Sequence, residues 1–151
     1  MGVRVEAPVK AAGQSSHVSI YDEFIHETLK PNEFLVYEAL QKSKSPLKAY
    51  DILEELHEKG LRAPMTIYRA LDALIGKGCV KKIASLNAYI AITPELASEA
   101  RAFLICRKCA QVKEVILDGE KLTALFSPMT VDGDNLTVEV FAECFQVCRD
   151  T

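Results

Sequence analysis

The stretch Ala63-Pro64-Met65-Thr66-Ile67-Tyr68-Arg69-Ala70-Leu71-Asp72-Ala73-Leu74 decides the fold. Ile67, Ala70, Leu71 and Leu74 recur at helical spacing and predict one buried stripe, while Tyr68, Arg69 and Asp72 fall on other faces. Pro64 suits a first helical turn, and Gly76 and Gly78 supply a stop. Upstream, Ala49, Ile52, Leu53 and Leu56 predict a helix over about 48–59, closed by Gly60. Phe34, Leu35, Tyr37, Ala39 and Leu40 predict another after Pro31, ending near Ser43 before the Ser45-Pro46 break. Ile20, Phe24, Ile25 and Leu29 suggest a short helix at 20–29. Downstream, Cys79–Ala84 and Ala88–Ile92 read as paired strands joined at Ser85-Leu86-Asn87. Short helices, the last with exposed polar residues, followed by a β-ribbon, give the order of a winged helix-turn-helix.

The remainder changes character. Phe103–Cys106 and Gln111–Leu117 alternate as strands, Lys121–Phe126 predicts a short helix, and Leu136–Phe141 is a third strand running towards Cys144. The expected class is therefore α+β, an N-terminal winged helix-turn-helix followed by a small α/β domain. Thr93-Pro94 breaks the pattern and places the boundary. We expect a flexible tail at 1–19, a winged-helix DNA-binding domain at 20–92 and a second domain at 93–151.

Hydrophobic residues make up 49% of the 151, enough to bury a core, so global disorder is not expected. No apolar run approaches the roughly 18–20 residues that span a bilayer, and the first residues lack the apolar core of a secretory signal. A cytoplasmic protein without membrane contact is expected. The net charge of −3 argues mildly against nucleic acid, but its distribution matters more. Residues 61–82 carry Arg62, Arg69, Lys77, Lys81 and Lys82 against Asp72 alone, whereas the last sixty residues sum to −4. A basic stretch inside a neutral half suits phosphate contacts, although such stretches are also ordinary solvated helix faces.

Four of the five cysteines form close pairs, Cys106-x2-Cys109 and Cys144-x3-Cys148. In a reducing compartment such pairs read as metal ligands or redox motifs. Four thiolates satisfy tetrahedral zinc at about 2.3 Å each, and a two-residue gap lets both sulfurs of one turn face one ion. The sequence therefore predicts one structural Zn2+ per chain. A thiol redox sensor is the rival, but redox cysteines favour a helix N-terminus, and Cys106 follows a strand. Cys79, among apolar neighbours, is expected in the core.

Arginine can bond a guanine edge bidentately, and an aromatic group can meet a thymine methyl. Tyr68 and Arg69 offer that pair; Thr66 and Lys77 could reach phosphates, and Lys81 and Lys82 lie in the expected wing. Equally, Tyr68 could pack on a neighbouring helix and Arg69 merely cover a surface.

Three stretches, Ser45-Pro-Leu-Lys-Ala-Tyr-Asp-Ile-Leu, Ala63 to Leu74, and Gly78-Cys-Val-Lys-Lys-Ile-Ala-Ser-Leu-Asn-Ala-Tyr, together resemble the ferric uptake regulator superfamily. Ser85-Leu-Asn-Ala-Tyr and Phe103-Leu-Ile-Cys-Arg-Lys-Cys lean towards its zinc uptake regulator branch. The likeness runs from about residue 29 to 148. It implies a homodimer, with an N-terminal winged helix and a C-terminal α/β dimerisation domain, that represses metal-uptake genes at double-stranded operators. It also implies base contacts from Tyr68 and Arg69, and a structural zinc held by Cys106, Cys109, Cys144 and Cys148.

The chain departs from the family at the sensing site. The segment that is usually histidine-rich is Ile92-Thr-Pro-Glu-Leu-Ala-Ser-Glu-Ala-Arg-Ala, and His17, His26 and His57 all lie elsewhere. A hinge histidine appears as Lys81, an acidic residue as Ala84, a cysteine as Ala91 and a further histidine as Glu99; histidines before the second pair fall near Leu136 and Phe141. Only Glu114 matches an acidic ligand, so Glu99 and Glu114 mark at most a vestigial site. Two carboxylates do not specify zinc, and Lys81 would put a cation beside the ion. The expectation is a regulator without the usual regulatory metal, with Lys81 as a possible fixed-charge substitute. Glu33, near a position where relatives often carry arginine, is expected to cost a phosphate contact and add repulsion. A zinc-ribbon protein-interaction module remains the other class. No hydrolytic motif or phosphate-binding glycine loop points to an enzyme.

Overall fold

Local carboxylates set the starts of the first two helices. In the computed structural model, which describes residues 25, 27–43, 45–92, 100–126 and 137–143, α1 (Pro31–Lys42) opens with Lys30 N–H donating to Glu33 Oε2 at 3.0 Å. Helix α2 (Ala49–Leu56) opens the same way, Lys48 N–H donating to Asp51 Oδ2 at 3.0 Å. Each bond satisfies a backbone donor that the helix leaves orphaned. Helix α2 tightens into a 3-10 turn at His57–Lys59, and Gly60 at φ 94° ends it. That left-handed conformation favours glycine. Helix α3 (Pro64–Gly76) presents the expected stripe: Ile67, Ala70, Leu71 and Leu74 are all buried, against Val36, Ile52 and Leu56. Ile25 and Leu29 join this core, Leu29 N–H donating to Ile25 O at 3.0 Å; most of the helix expected at 20–29 lies outside the described residues, as does the tail at 1–19.

Strands β1 (Val80–Ile83) and β2 (Ala88–Ala91) pair antiparallel, with Val80 opposite Ala91 and Ile83 opposite Ala88. A 3-10 turn, Ala84–Leu86, and Asn87 at φ 48° join them. Asparagine is among the few residues that tolerate this conformation. Leu47 adds a third edge through reciprocal backbone bonds with Tyr89 of 3.0 and 2.8 Å. Cys79 is buried in this half, as expected.

In the second half, β3 (Arg101–Cys106) and β4 (Val112–Ile116) form an antiparallel pair, α4 (Gly119–Phe126) follows, and β5 (Thr137–Ala142) lies parallel to β3. The order β4-β3-β5 makes β3 the centre of the sheet. A parallel neighbour requires a crossover, which α4 occupies in part. The register sets Glu114, Phe103 and Glu139 opposite one another across the three strands. Side chains in register share a face, and period-two alternation puts Arg101 and Ile105 on that face too. The chain is thus α+β, a winged helix followed by a small α/β unit. Among the described residues, no helix is long and apolar enough to cross a membrane.

Candidate functional site

Helix α3 is held by its buried stripe, which fixes what its other side shows. Met65 is 60% exposed, and Tyr68 and Arg69 are exposed one turn later. The two sides of this exposed ridge differ. Tyr68 shares a hollow with Lys48 and Tyr50 of the α2 start, Lys82 of β1, Asn87 and Tyr89. Thr66 and Arg69 line a separate cleft with Asn32 and Glu33 at the start of α1. Lys82 also lies over the Tyr89 ring, Nζ 5.7 Å from its centroid. Lys81 is half-buried beside it in β1.

The structure therefore brings Tyr68 and Lys82 to one hollow and sets Thr66 and Arg69 in a separate cleft against α1. Lys77 stands apart. Its ammonium lies 2.5 Å from Glu33 Oε2 and donates to Thr28 O at 3.0 Å, a bridge from the end of α3 to the start of α1. The Glu33 side chain is only 7% exposed, so the repulsion expected of it is absent: the carboxylate points inward and is neutralised. Burial pushes its carboxyl up, but Lys77 and the Lys30 N–H outweigh burial and hold it below its usual value.

Sequence reasoning missed Tyr50 and Met65. Tyr50 is 66% exposed and adds an aromatic ring to the Tyr68 hollow. The signal was present: both are large residues out of phase with the buried stripes of their helices.

Of the cysteines expected to hold zinc, Cys106 ends β3 and Cys109 lies in the following turn. That turn is tight. Cys106 N–H donates to Gln111 O, and Ala110 N–H donates to Cys106 O, both at 2.9 Å, with Ala110 at φ 57°. Cys106 is buried and Cys109 exposed; a turn with two residues between its cysteines is a common frame for two of zinc's thiolate ligands. Cys144 and Cys148 lie outside the described residues, as does Glu99. Glu114 meets a cation already: Arg101, with 1% side-chain exposure, forms an ion pair with it through Nη1. A positive charge thus stands beside Glu114, supplied by Arg101.

No family model matches the chain. The zinc uptake regulation proteins of Escherichia coli and Shigella flexneri are each 34% identical over 93 residues. That stretch covers 60% of this chain and 54% of either relative, so the chain spans about half the length of the curated relatives it matches. Among solved structures, holo XcZur is 31% identical with a TM-score of 0.64, covering 80% of this chain and 86% of its own. A zinc uptake regulator complexed with zinc and DNA is 26% identical with a TM-score of 0.69, covering 85% and 89%. The ferric uptake regulator of Vibrio cholerae shares the fold at 16% identity, with a TM-score of 0.53 over 82% and 99%. Taken with the winged helix, the α/β sheet and the 31% identity along most of holo XcZur, these likenesses place the chain in the ferric uptake regulator superfamily, close to its zinc uptake regulator branch.

Proposed function

We propose that this chain is a DNA-binding transcription regulator, a repressor, and not an enzyme. The observation that carries the reading is α3 itself, locked by its buried stripe and exposing Tyr68 towards Tyr50 and the wing lysine Lys82 on one side and Arg69 towards the start of α1 on the other. A helix so placed enters a major groove with its N-terminal residues towards base edges. Arg69 reads a guanine, Tyr68 meets a thymine methyl, and Thr66, Lys81 and Lys82 hold phosphates. Lys77, bound to Glu33, steadies α3 against α1 instead of serving DNA directly. The zinc uptake regulator solved with zinc and DNA supports this reading.

The protein acts as a cytoplasmic homodimer on a double-stranded operator, built from a winged-helix domain at 20–92 and a dimerisation domain at 93–151. Ile116, Leu125 and Val140 leave apolar surface uncovered on the α/β unit, which supports a subunit contact there. Cys106, Cys109, Cys144 and Cys148 hold one structural zinc per chain. The usual switching metal is lost, because Lys81 and Ala91 offer no donor and Glu114 already neutralises Arg101. Glu99 and Glu114 are what remains of that site.

Substituting Arg69 by Ala tests the reading. Each bidentate base contact is worth about 1–3 kcal/mol, and a dimer makes two. Affinity for a duplex selected from random sequence should fall at least about 30-fold, with binding to unrelated DNA little changed. Equal binding by both proteins would refute a DNA-reading role. A metal titration tests the second part: on protein holding one zinc per chain, added zinc, iron or manganese should leave DNA affinity unchanged.

A further inference from the structure

The row Glu114–Phe103–Glu139 crosses the α/β sheet on one face, and the wing packs on that face. Ile83, Leu86 and Ile92 from the ribbon and its exit form one apolar cluster with Phe103, Ile105 and Val112 of the sheet. Beside it, the Glu139 carboxylate reaches across to the wing's turn. Ala84 N–H donates to Glu139 Oε1 at 2.7 Å, and Ser85 N–H donates to Glu139 Oε2 at 3.1 Å. Both oxygens are thus committed to two successive backbone donors some 55 residues away. A carboxylate on two N–H groups is a strong and directional contact, because its charge reinforces both bonds. The cluster supplies attraction without direction, and Glu139 supplies the alignment.

We propose that Glu139 is the positioning residue that docks the wing on the C-terminal sheet. It holds Lys81 and Lys82 at a set angle to α3 by contacts within the chain, with no ion required. This inference rests on the DNA-binding reading for its consequence, but not for its geometry. Lys82 and Lys81 sit one and two residues before Ile83, between the ribbon base, which Val80 and Tyr89 fix to the N-terminal core, and the turn that Glu139 holds. Release at Ala84 and Ser85 leaves the lysines anchored from one end only and loosens their hold on phosphates.

The test uses the purified, zinc-loaded full chain and a duplex selected from random sequence by the unsubstituted protein. Glu139→Ala removes both acceptors, and Glu139→Gln keeps one. Amide hydrogen exchange at Ala84 and Ser85 should accelerate about tenfold or more in Glu139→Ala, and less in Glu139→Gln, while the amides of β4 keep their protection. In the same variants, log K against log salt should lose about 1–2 units of slope per wing, as two lysines leave their phosphates. A general loss of stability would not single out those two amides or that slope. If Glu139→Ala also loses protection in β4, the Gln variant carries the comparison. Unchanged exchange at Ala84 and Ser85 overturns the docking. Faster exchange with an unchanged salt slope overturns the positioning role. If the unsubstituted chain selects no duplex, the DNA reading falls and the positioning role with it, whereas the exchange rates still decide the docking.

Discussion

Replacing Lys77 by Met separates a structural lysine from a phosphate-binding one. The apolar stem is kept and the ammonium is lost. Glu33 then remains almost wholly buried, with the Lys30 N–H as its partner. Stripping one partner from a fully buried pair costs about 3–5 kcal/mol. Lys77 is 31% exposed, so water screens part of the attraction and a smaller figure applies. The hydrogen bond to a charged group is worth about 1.5–3 kcal/mol, part of it offset by the freedom the lysine regains. The net loss should be about 2 kcal/mol, read by urea unfolding at pH 7, or roughly 4–8 °C in Tm. The pH dependence has a definite sign. Glu33 binds its proton at lower pH in the folded chain than in the unfolded one, so its contribution is complete above the ordinary carboxylate range and fades as pH falls through the folded value. The stability gap between the two proteins should therefore close on acidification. Salt dependence of DNA binding should stay as it was. A slope reduced by about 0.9 per lysine, with stability unchanged, would show that Lys77 serves phosphate and that the bridge to Glu33 contributes nothing.

Replacing Arg101 by Leu should lower stability by about 2–4 kcal/mol, less than a fully enclosed pair because Glu114 can turn towards water; denaturant unfolding checks it, and no change would refute a stabilising pair. The same variant should still hold one zinc per chain by metal analysis; a second bound ion would show that the guanidinium had been masking a working site. Removing zinc with a strong chelator should abolish hydrogen-exchange protection in β3 and β5 while α1–α3 keep theirs, since structural zinc supplies folding energy directly. Equal protection with and without metal would refute the staple.

The fold was legible wherever burial imposes a period. The stripes of α2 and α3, the Gly60 stop and the ribbon around Asn87 all follow from local chemistry, and each element lies within a few residues of its expected place. The strand at 103–106 begins two residues earlier, at Arg101, because a buried arginine breaks the apolar alternation that would announce it. Charge partners were not legible. Lys77 with Glu33, Arg101 with Glu114 and Glu139 with the wing's turn join residues 13 to 55 apart, and no period marks them. Lys77 looked free for DNA and Glu33 looked repulsive because each was read without the other. Tyr50 and Met65 were overlooked for a different reason, since apolar residues are read first as core. The cysteine spacing pointed to metal without any fold, and the tight turn at Cys106 is consistent with it.

The parallel pairing of β3 with β5 also sets the order in which the molecule can assemble. The hairpin of β3 and β4 closes over a short turn and can form within microseconds, whereas β5 must return across residues 107–136 before it finds its neighbour. The three helices and the ribbon collapse early, because their contacts are mostly local. Glu139 rides on β5, so the ribbon is fastened only once that strand has found β3. During synthesis, the helices and the ribbon can therefore fold before Glu139 has left the ribosome, and the ribbon's turn gains its two acceptors only when β5 pairs with β3.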